Sequence, residues 1–381
     1  MNISSPSGNE QILRVLSAGG QQWKPAAGPA GRPEGEEGAN IFKALNTAGI
    51  SESDLVLNLE NIKVPATKEN VNMAKTMVEF GIPLSRENMS QMGKALEGDS
   101  FKSQFSMTAA GFLKANSIPL SRENVTVLAW FLEQNPRLGE QLFNVQQYFR
   151  EILQRDSKNQ RIRAFSSLLE RYIIESGRKE NMEAVLLRLA EEAGIKKAKD
   201  PEDLAKYTEK LAKGISGDAE ENGLIEKAVA LMKGLGENFA AQRMLNLQQK
   251  NPGSEVYYMQ VPIKLRDENL TAELKITRRK GQAKEKTTES ESFRIEFTVD
   301  TENLGRISFS VDIAGDIINL EVGTDSPEAG KYIKERMGRL TERLTGIPYQ
   351  IGEVLFKINP ELRPVFAQEK LETMERIDVS A

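Results

Sequence analysis

The sequence predicts an α+β protein: a disordered N-terminal arm, an all-α helical middle with short repeats, and a compact C-terminal domain of antiparallel hairpins packed on one helix. Three observations carry this. Residues 1–40 are rich in Gly, Pro, Ser, Gln and Glu and lack periodicity. Residues 41–250 place apolar side chains at helical spacing and contain an internal repeat, and beyond Asn251-Pro252-Gly253 the apolar residues alternate instead. The chain divides on this reading into 1–40, 41–250, 254–357 and a loosely held tail, 358–381.

The arm is most biased from Pro25 through Gly38, and Trp23 interrupts it. Such a residue is either incidental or part of a short recognition segment spanning Ile12 to Trp23. The repeat follows. Val64-Pro65-Ala66-Thr67-Lys68-Glu69-Asn70-Val71, Ile82-Pro83-Leu84-Ser85-Arg86-Glu87-Asn88-Met89 and Ile118-Pro119-Leu120-Ser121-Arg122-Glu123-Asn124-Val125 are copies of one unit. Their prolines stand 18 and then 36 residues apart, which leaves room for a decayed copy in which Ser103 and Met107 keep the register. In each copy Pro ends one segment, Ser or Thr two residues later caps the next helix, and Glu lies in its first turn. Short stacked helices result, either as a plain structural array without a site or as a modular spacer or partner-binding solenoid.

Between 136 and 250, Leu142, Val145, Phe149, Ile152 and Leu153 form one apolar stripe, and Ile162, Phe165, Leu168, Leu169, Tyr172 and Ile173 another. Further helices are expected at about 180–193, 201–213, 219–233 and 237–250, with Gly194 as a stop and Asp200-Pro201 as a start. In the C-terminal part, Met259, Val261, Ile263 and Leu265 alternate, Arg266 to Asn269 form a turn, and Leu270, Ala272, Leu274 and Ile276 alternate again. Pairing Leu265 with Leu270 sets Ile263 against Ala272. Arg278-Arg279-Lys280 with Lys284 and Lys286 reads as a solvated loop or as a site for an acidic partner surface.

Residues 293–345 carry most of the functional information. Ile307, Phe309, Val311 and Ile313 alternate, Gly315-Asp316 supplies a two-residue turn, and Ile318, Leu320 and Val322 alternate again. The turn places Ile313 opposite Ile318, Val311 opposite Leu320 and Phe309 opposite Val322. Ser326 caps one following helix, Pro327 fits its first position, and Gly346 stops it. Ala329, Ile333, Met337, Leu340 and Leu344 form its buried stripe, and a last strand lies near Pro348 to Phe356.

Val299-Asp300-Thr301-Glu302-Asn303-Leu304-Gly305-Arg306, followed by the hairpin and then by Ser326-Pro327-Glu328-Ala329 and a helix ending at Gly346, resembles the C-terminal domain of flagellar hook-length control proteins (FliK). That family's motif is roughly L-x-P-E-x-L-G. Val299 stands for the first Leu and Thr301 replaces the Pro, so the match rests on Glu302, Leu304, Gly305 and the element order. It covers residues 293–356 well and 255–292 more loosely. The resemblance implies a non-enzymatic export substrate that helps measure hook length and switches the export apparatus from hook to filament subunits. Its implied partners are an export gate component and hook or hook-cap subunits. A cytoplasmic helical adaptor with the same C-terminal fold, never secreted, is the rival reading. Leu304, Gly305 and Arg306 are the candidate partner-binding residues. A structural role is open beside this one, with Gly305 permitting a tight turn and Leu304 filling the core.

Composition narrows the alternatives. The chain has no Cys and no His, so thiol nucleophiles, disulfides, histidine bases and the usual zinc ligand sets are excluded. A net charge of -4 argues against a dedicated nucleic-acid binder. No cleavable signal and no membrane-spanning run is expected. A carboxylate-based hydrolase stays formally open, although no motif places a pair. No cofactor is expected. Gly323 to Lys331 imitates a phosphate loop with the wrong spacing and with Tyr332 where Ser or Thr is needed; Asp218 to Gly223 imitates a calcium loop but has Val229 where Glu belongs. Gly234-Leu235-Gly236 lacks the third glycine and preceding strand of a dinucleotide site.

Overall fold

The computed structural model describes residues 51–98, 103–175, 182–195, 223–247, 254–266, 268–279, 292–344, 349–360 and 362. The N-terminal arm, the expected helix at 201–213, the loop from Lys280, the stop at Gly346 and the tail beyond 362 lie outside them. The described residues form two compact units that divide between Asn135 and Pro136.

The first unit is the repeat. Helices α1 (Glu52–Asn61), α2 (Lys68–Glu79), α3 (Arg86–Ala95), α4 (Gln104–Ala115) and α5 (Arg122–Gln134) start at Ser51, Thr67, Ser85, Ser103 and Ser121. Each capping hydroxyl accepts from the backbone N–H three residues on, which satisfies a donor that a helix start leaves unpaired. Ser103 is therefore the cap of the decayed copy. The repeated Asn contributes too, since the side chains of Asn70, Asn88 and Asn124 donate back to the carbonyls of Pro65, Pro83 and Pro119. Helix ends repeat as well. Lys63, Gly81 and Ser117 take positive φ, and the next N–H groups, of Val64, Ile82 and Ile118, donate to the carbonyls of Leu59, Met77 and Leu113. This is the Schellman arrangement, with a fully buried apolar residue at the accepting position each time. One unit thus specifies how a helix ends, turns and restarts.

Helix α4 passes very close to α2. A Cβ on Gly111 would lie 2.6 Å from Phe80 Cδ2 and 2.8 Å from Thr76 Cγ2, so only glycine fits this crossing. Gly111→Leu is expected to destabilise this unit by about 1–3 kcal/mol through overpacking, although it gains helix propensity. Hydrogen exchange of the α2 and α4 amides in the full chain measures this. Unchanged protection would show that the crossing relaxes freely.

The second unit contains α6 (Leu138–Arg155), α7 (Gln160–Glu170), β1 (Ile174–Glu175), α8 (Met182–Glu192) and α9 (Gly223–Asn246). It continues with β2 (Ser254–Leu265), β3 (Glu268–Arg279), β4 (Ser292–Thr301), β5 (Gly305–Ala314) and β6 (Ile317–Thr324). Helices α10 (Pro327–Lys334) and α11 (Met337–Leu344) and strand β7 (Gln350–Ile358) complete it. The seven strands lie in sequence order in one mixed sheet. Strands β2 to β6 form an antiparallel meander, and β1 and β7 join its two edges in parallel.

The β5–β6 hairpin has the predicted register, from Ala314 opposite Ile317 to Phe309 opposite Val322. The β2–β3 hairpin is a correction. Leu265 pairs with Glu268, not Leu270, so Ile263 faces Leu270 and Val261 faces Ala272. The strands run on to a tighter turn in which Arg266 has φ +56°, a conformation that its sequence does not announce. The slip is two residues, so every side chain keeps its predicted face.

Three further expectations are corrected. The single helix expected from Ser326 is two, because its hydrogen-bond ladder breaks at Glu335-Arg336. The helices expected at 219–233 and 237–250 are one, α9, running through Gly234 and Gly236. Each glycine costs about 1 kcal/mol, but Ala228, Met232, Leu235 and Phe239 bury α9 against the core. Arg278 is not in a solvated loop either. It lies in β3 with its side chain 11% exposed, 3.4 Å from the Glu255 carboxylate.

The middle is not a separate all-α layer. Leu142, Val145 and Phe149 of α6 and Met232 and Phe239 of α9 share one core with Met259, Val261 and Ala272 of the sheet. A second core joins Ile307, Leu320 and Val322 to Ile333, Met337 and Leu340. The outer edge of β2 is closed by α9. Tyr258 N donates to Asn246 Oδ1 (2.7 Å), Asn246 Nδ2 donates to Tyr258 O (2.7 Å), and Gln260 N donates to Gln242 Oε1 (2.9 Å). Asn238, one turn earlier, donates to the Gln260 side chain (3.1 Å). In return, Gln260 and Thr271 side chains accept from the N–H groups of Leu138 and Gly139, capping α6, whose own N-cap Arg137 provides no cap bond.

The boundary expected at 254 therefore cuts through a core. A fragment of residues 136–369 is expected to unfold in one cooperative transition. A fragment of residues 254–357 exposes Met259, Val261 and the β2 edge, and is expected to aggregate or bind a hydrophobic dye. Cooperative melting of the shorter fragment would show that α6 and α9 are dispensable.

Candidate functional site

Leu304, Gly305 and Arg306 lie at the turn between β4 and β5, where Thr301 pairs with Gly305 and Asp300 with Arg306. Thr301 closes this turn with one hydroxyl. It accepts from Leu304 N (3.0 Å) and donates to Gly305 O (3.1 Å). A proline there could do neither.

Gly305 has φ +65°, and a Cβ on it would lie 2.5 Å from Asp325 Oδ1. That oxygen accepts from Arg306 N (3.1 Å), while Asp325 N donates to Arg306 O (3.3 Å). Gly305 is thus required both for the left-handed turn and for the approach of Asp325. Leu304 is half-buried and packs on the second core. The Arg306 guanidinium grips Asp300 from two nitrogens, Nε to Oδ1 at 2.6 Å and Nη2 to Oδ2 at 2.9 Å, and Nη1 donates to Leu362 O at 3.0 Å. Arg137, just before α6, adds a bond from Nη2 to Asp300 Oδ2 at 2.7 Å. Hydrogen bonds from Arg306, with the charges of Arg306 and Arg137, hold the Asp300 carboxyl below its ordinary range against the opposing effect of burial. The same pairing raises Arg306.

The three predicted residues come together here, but each is engaged within the fold. The turn side chains that face solvent are Glu302 and Asn303, and the turn is tied to the β2–β3 turn by Asn303 Nδ2 donating to Glu268 Oε1 at 3.1 Å. Sequence reasoning missed Asp300, Asp325 and Arg137. Asp300 and Arg306 flank the turn symmetrically, which could have suggested a cross-strand ion pair. Nothing local points to Asp325, and Arg137 is 163 residues from Asp300. The arrangement offers oriented charge and a rigid turn. Among the described residues it presents no nucleophile beside a base.

Of the motif imitations, Gly323 ends in strand β6 rather than in a loop, and Gly234-Leu235-Gly236 is helical. The calcium-loop imitation lies, up to Asn222, outside the described residues. No helix among the described residues is long and apolar enough to cross a membrane. No protein family, curated protein or solved structure matches the chain.

Asp300 has a depressed folded pKa, so its contribution to stability is present above the unfolded value of about 3.9 and is lost as pH falls through the folded value. Asp300→Asn is expected to cost about 1–2 kcal/mol near neutral pH, the lower part of the range for charged hydrogen bonds because the carboxylate is partly solvated. Its deficit relative to the native chain is expected to shrink below about pH 4. Urea unfolding of both chains from pH 7 to pH 3 checks this; a constant deficit would mean that the ion pairs are not its source.

Proposed function

We propose that the chain is a flagellar hook-length control protein: an export substrate that helps measure hook length and then switches the export apparatus from hook to filament subunits. What carries this reading is the order of the Val299–Arg306 motif, the β5–β6 hairpin and the helix capped by Ser326, at the spacing of the family it resembles. The turn chemistry supports it in kind, since Glu302, Leu304 and Gly305 stand at a tight turn whose glycine no other residue could replace without strain. The proposed partners are an export gate component, met by the C-terminal unit, and hook or hook-cap subunits, met by the N-terminal part.

The rival reading, a helical adaptor that stays in the cytoplasm, is favoured by one observation. Every described helix of the repeat is capped at its start, as suits an array that works folded. The two readings part in a deletion strain. Overlong hooks without filaments, together with the protein in the culture supernatant of the parent strain, are expected for hook-length control. Hooks of normal length in the deletion strain would overturn it.

A further inference from the structure

The break between α10 and α11 does more than bend the chain. At Arg336 the ladder steps from four residues to three: Arg336 N donates to Ile333 O (2.9 Å), not to Tyr332 O. The carbonyl of Tyr332 is thereby released. Arg336 Nη1 donates to it at 3.1 Å, and the guanidinium carbon lies over the Tyr332 ring, 3.5 Å from its centre. Ring and cation both stay in solvent, each 46% exposed. The inner side of these helices, Ile333, Met337 and Leu340, packs on the sheet. The outer side carries exposed Lys331, Lys334 and Arg339. From 331 to 339 there are four cations and one carboxylate, Glu335, which lies 3.8 Å from Arg336 Nη1, and Glu328 and Glu342 flank the stretch, in a chain of net charge -4.

Resting on the hook-length reading, we propose that this outer face of α10–α11, anchored by the Tyr332–Arg336 pair, docks an acidic segment of the export gate component. Tyr and Arg dominate protein interfaces because they give large contact area and several hydrogen bonds, and here both are held before the partner arrives. The cations supply attraction to carboxylates and orient the encounter. A bilayer is disfavoured as occupant because, among the described residues, Tyr332 is the one large exposed apolar side chain of these helices. A nucleic acid is disfavoured by the charge of the whole chain. The β4–β5 turn is the weaker docking surface, since its Leu304, Gly305 and Arg306 are engaged internally.

The test uses the purified full-length chain and the purified cytoplasmic domain of the gate component from the same organism, titrated calorimetrically at low and moderate salt. Tyr332→Ala and Arg339→Glu are the variants; Arg339 has an exposed side chain, so Arg339→Glu changes charge with little risk to folding, and circular dichroism confirms the fold of both. Expected is salt-weakened binding by the native chain and a loss of about tenfold or more in each variant, with Glu302→Lys at the turn close to native. Native-strength binding by both variants would overturn the surface and leave the hook-length reading standing. No binding by the native chain would overturn that reading and the named occupant with it. Sedimentation of the native chain with phosphatidylglycerol vesicles, lost in Arg339→Glu, would replace the protein occupant with a lipid surface.

Discussion

A meander of long strands has an apolar face to bury and an outer edge of unpaired N–H and C=O groups to satisfy, and β2 presents both at one place. The amide side chains of α9 answer the second demand. Asn238, Gln242 and Asn246 recur every four residues and so share one helix face, while Tyr258 and Gln260 recur every two and so share one strand edge. About 6 Å of helix rise then meets about 6.8 Å of strand, close enough for side-chain amides to stand in for a neighbouring strand. The next outward-facing position on the edge is Pro262, which has no N–H to satisfy. Beyond it β1 takes over at Ile263 and Lys264. An open edge is thus closed without a further full strand, and the helices that close it also bury the face.

The repeat solves a different problem with other means. Its helices are short, ten to thirteen residues, too short to persist alone. Hydrogen bonds left open at the helix ends are made by the flanks, through a capping hydroxyl at all five starts, an Asn-to-Pro bond at three of them and a Schellman turn at three ends. Packing then rests on soft or small side chains, such as Met77, Met92, Ala109 and Ala110, that fit closely crossing helices. Such an array is specified mostly by local sequence, which is why a period of 18 residues is visible in it.

That contrast explains which features are legible in the sequence. The repeat starts and the β5–β6 register are legible because Pro, Ser, Asn and Gly-Asp act within a few residues of themselves. The β2–β3 register shifts by two from its expected pairing because Arg266 carries no turn signature, yet the faces survive because alternation has period two. The helix break at Glu335-Arg336 has neither Pro nor Gly at it, and the fusion of α9 across two glycines reverses their local preference; both are decided by what the helices pack against. The Asn238, Gln242 and Asn246 ladder is present in the sequence as a four-residue spacing, but polar residues at that spacing ordinarily mark a solvated face. Only a strand edge beside it turns it into structure. The candidate site is legible as a turn. Its chemistry is not, because Asp325 and Arg137 reach it from distant parts of the chain.

A turn whose motif residues are consumed inside the fold has a consequence for how sequence likeness translates into function. Asp300 is held by Arg306 and Arg137, Gly305 is fixed by its φ and by Asp325, and Thr301 spends its hydroxyl twice, so a partner arriving there meets little besides Glu302 and Asn303. Residues that define a family by their spacing can therefore be those that build the domain, while recognition is carried by side chains that the fold leaves solvated. In this chain the motif lies at one end of β5, and the half-exposed Tyr332 with its stacked Arg336 lies on the helices that β6 leads into. Strand β6 joins the two, since Asp325 at its end binds the turn and Ser326 beside it starts α10. A change at the motif would thus act on the placement of α10 before it altered any solvated side chain, so for such a variant an effect on stability and an effect on a binding surface separate only where both are measured together.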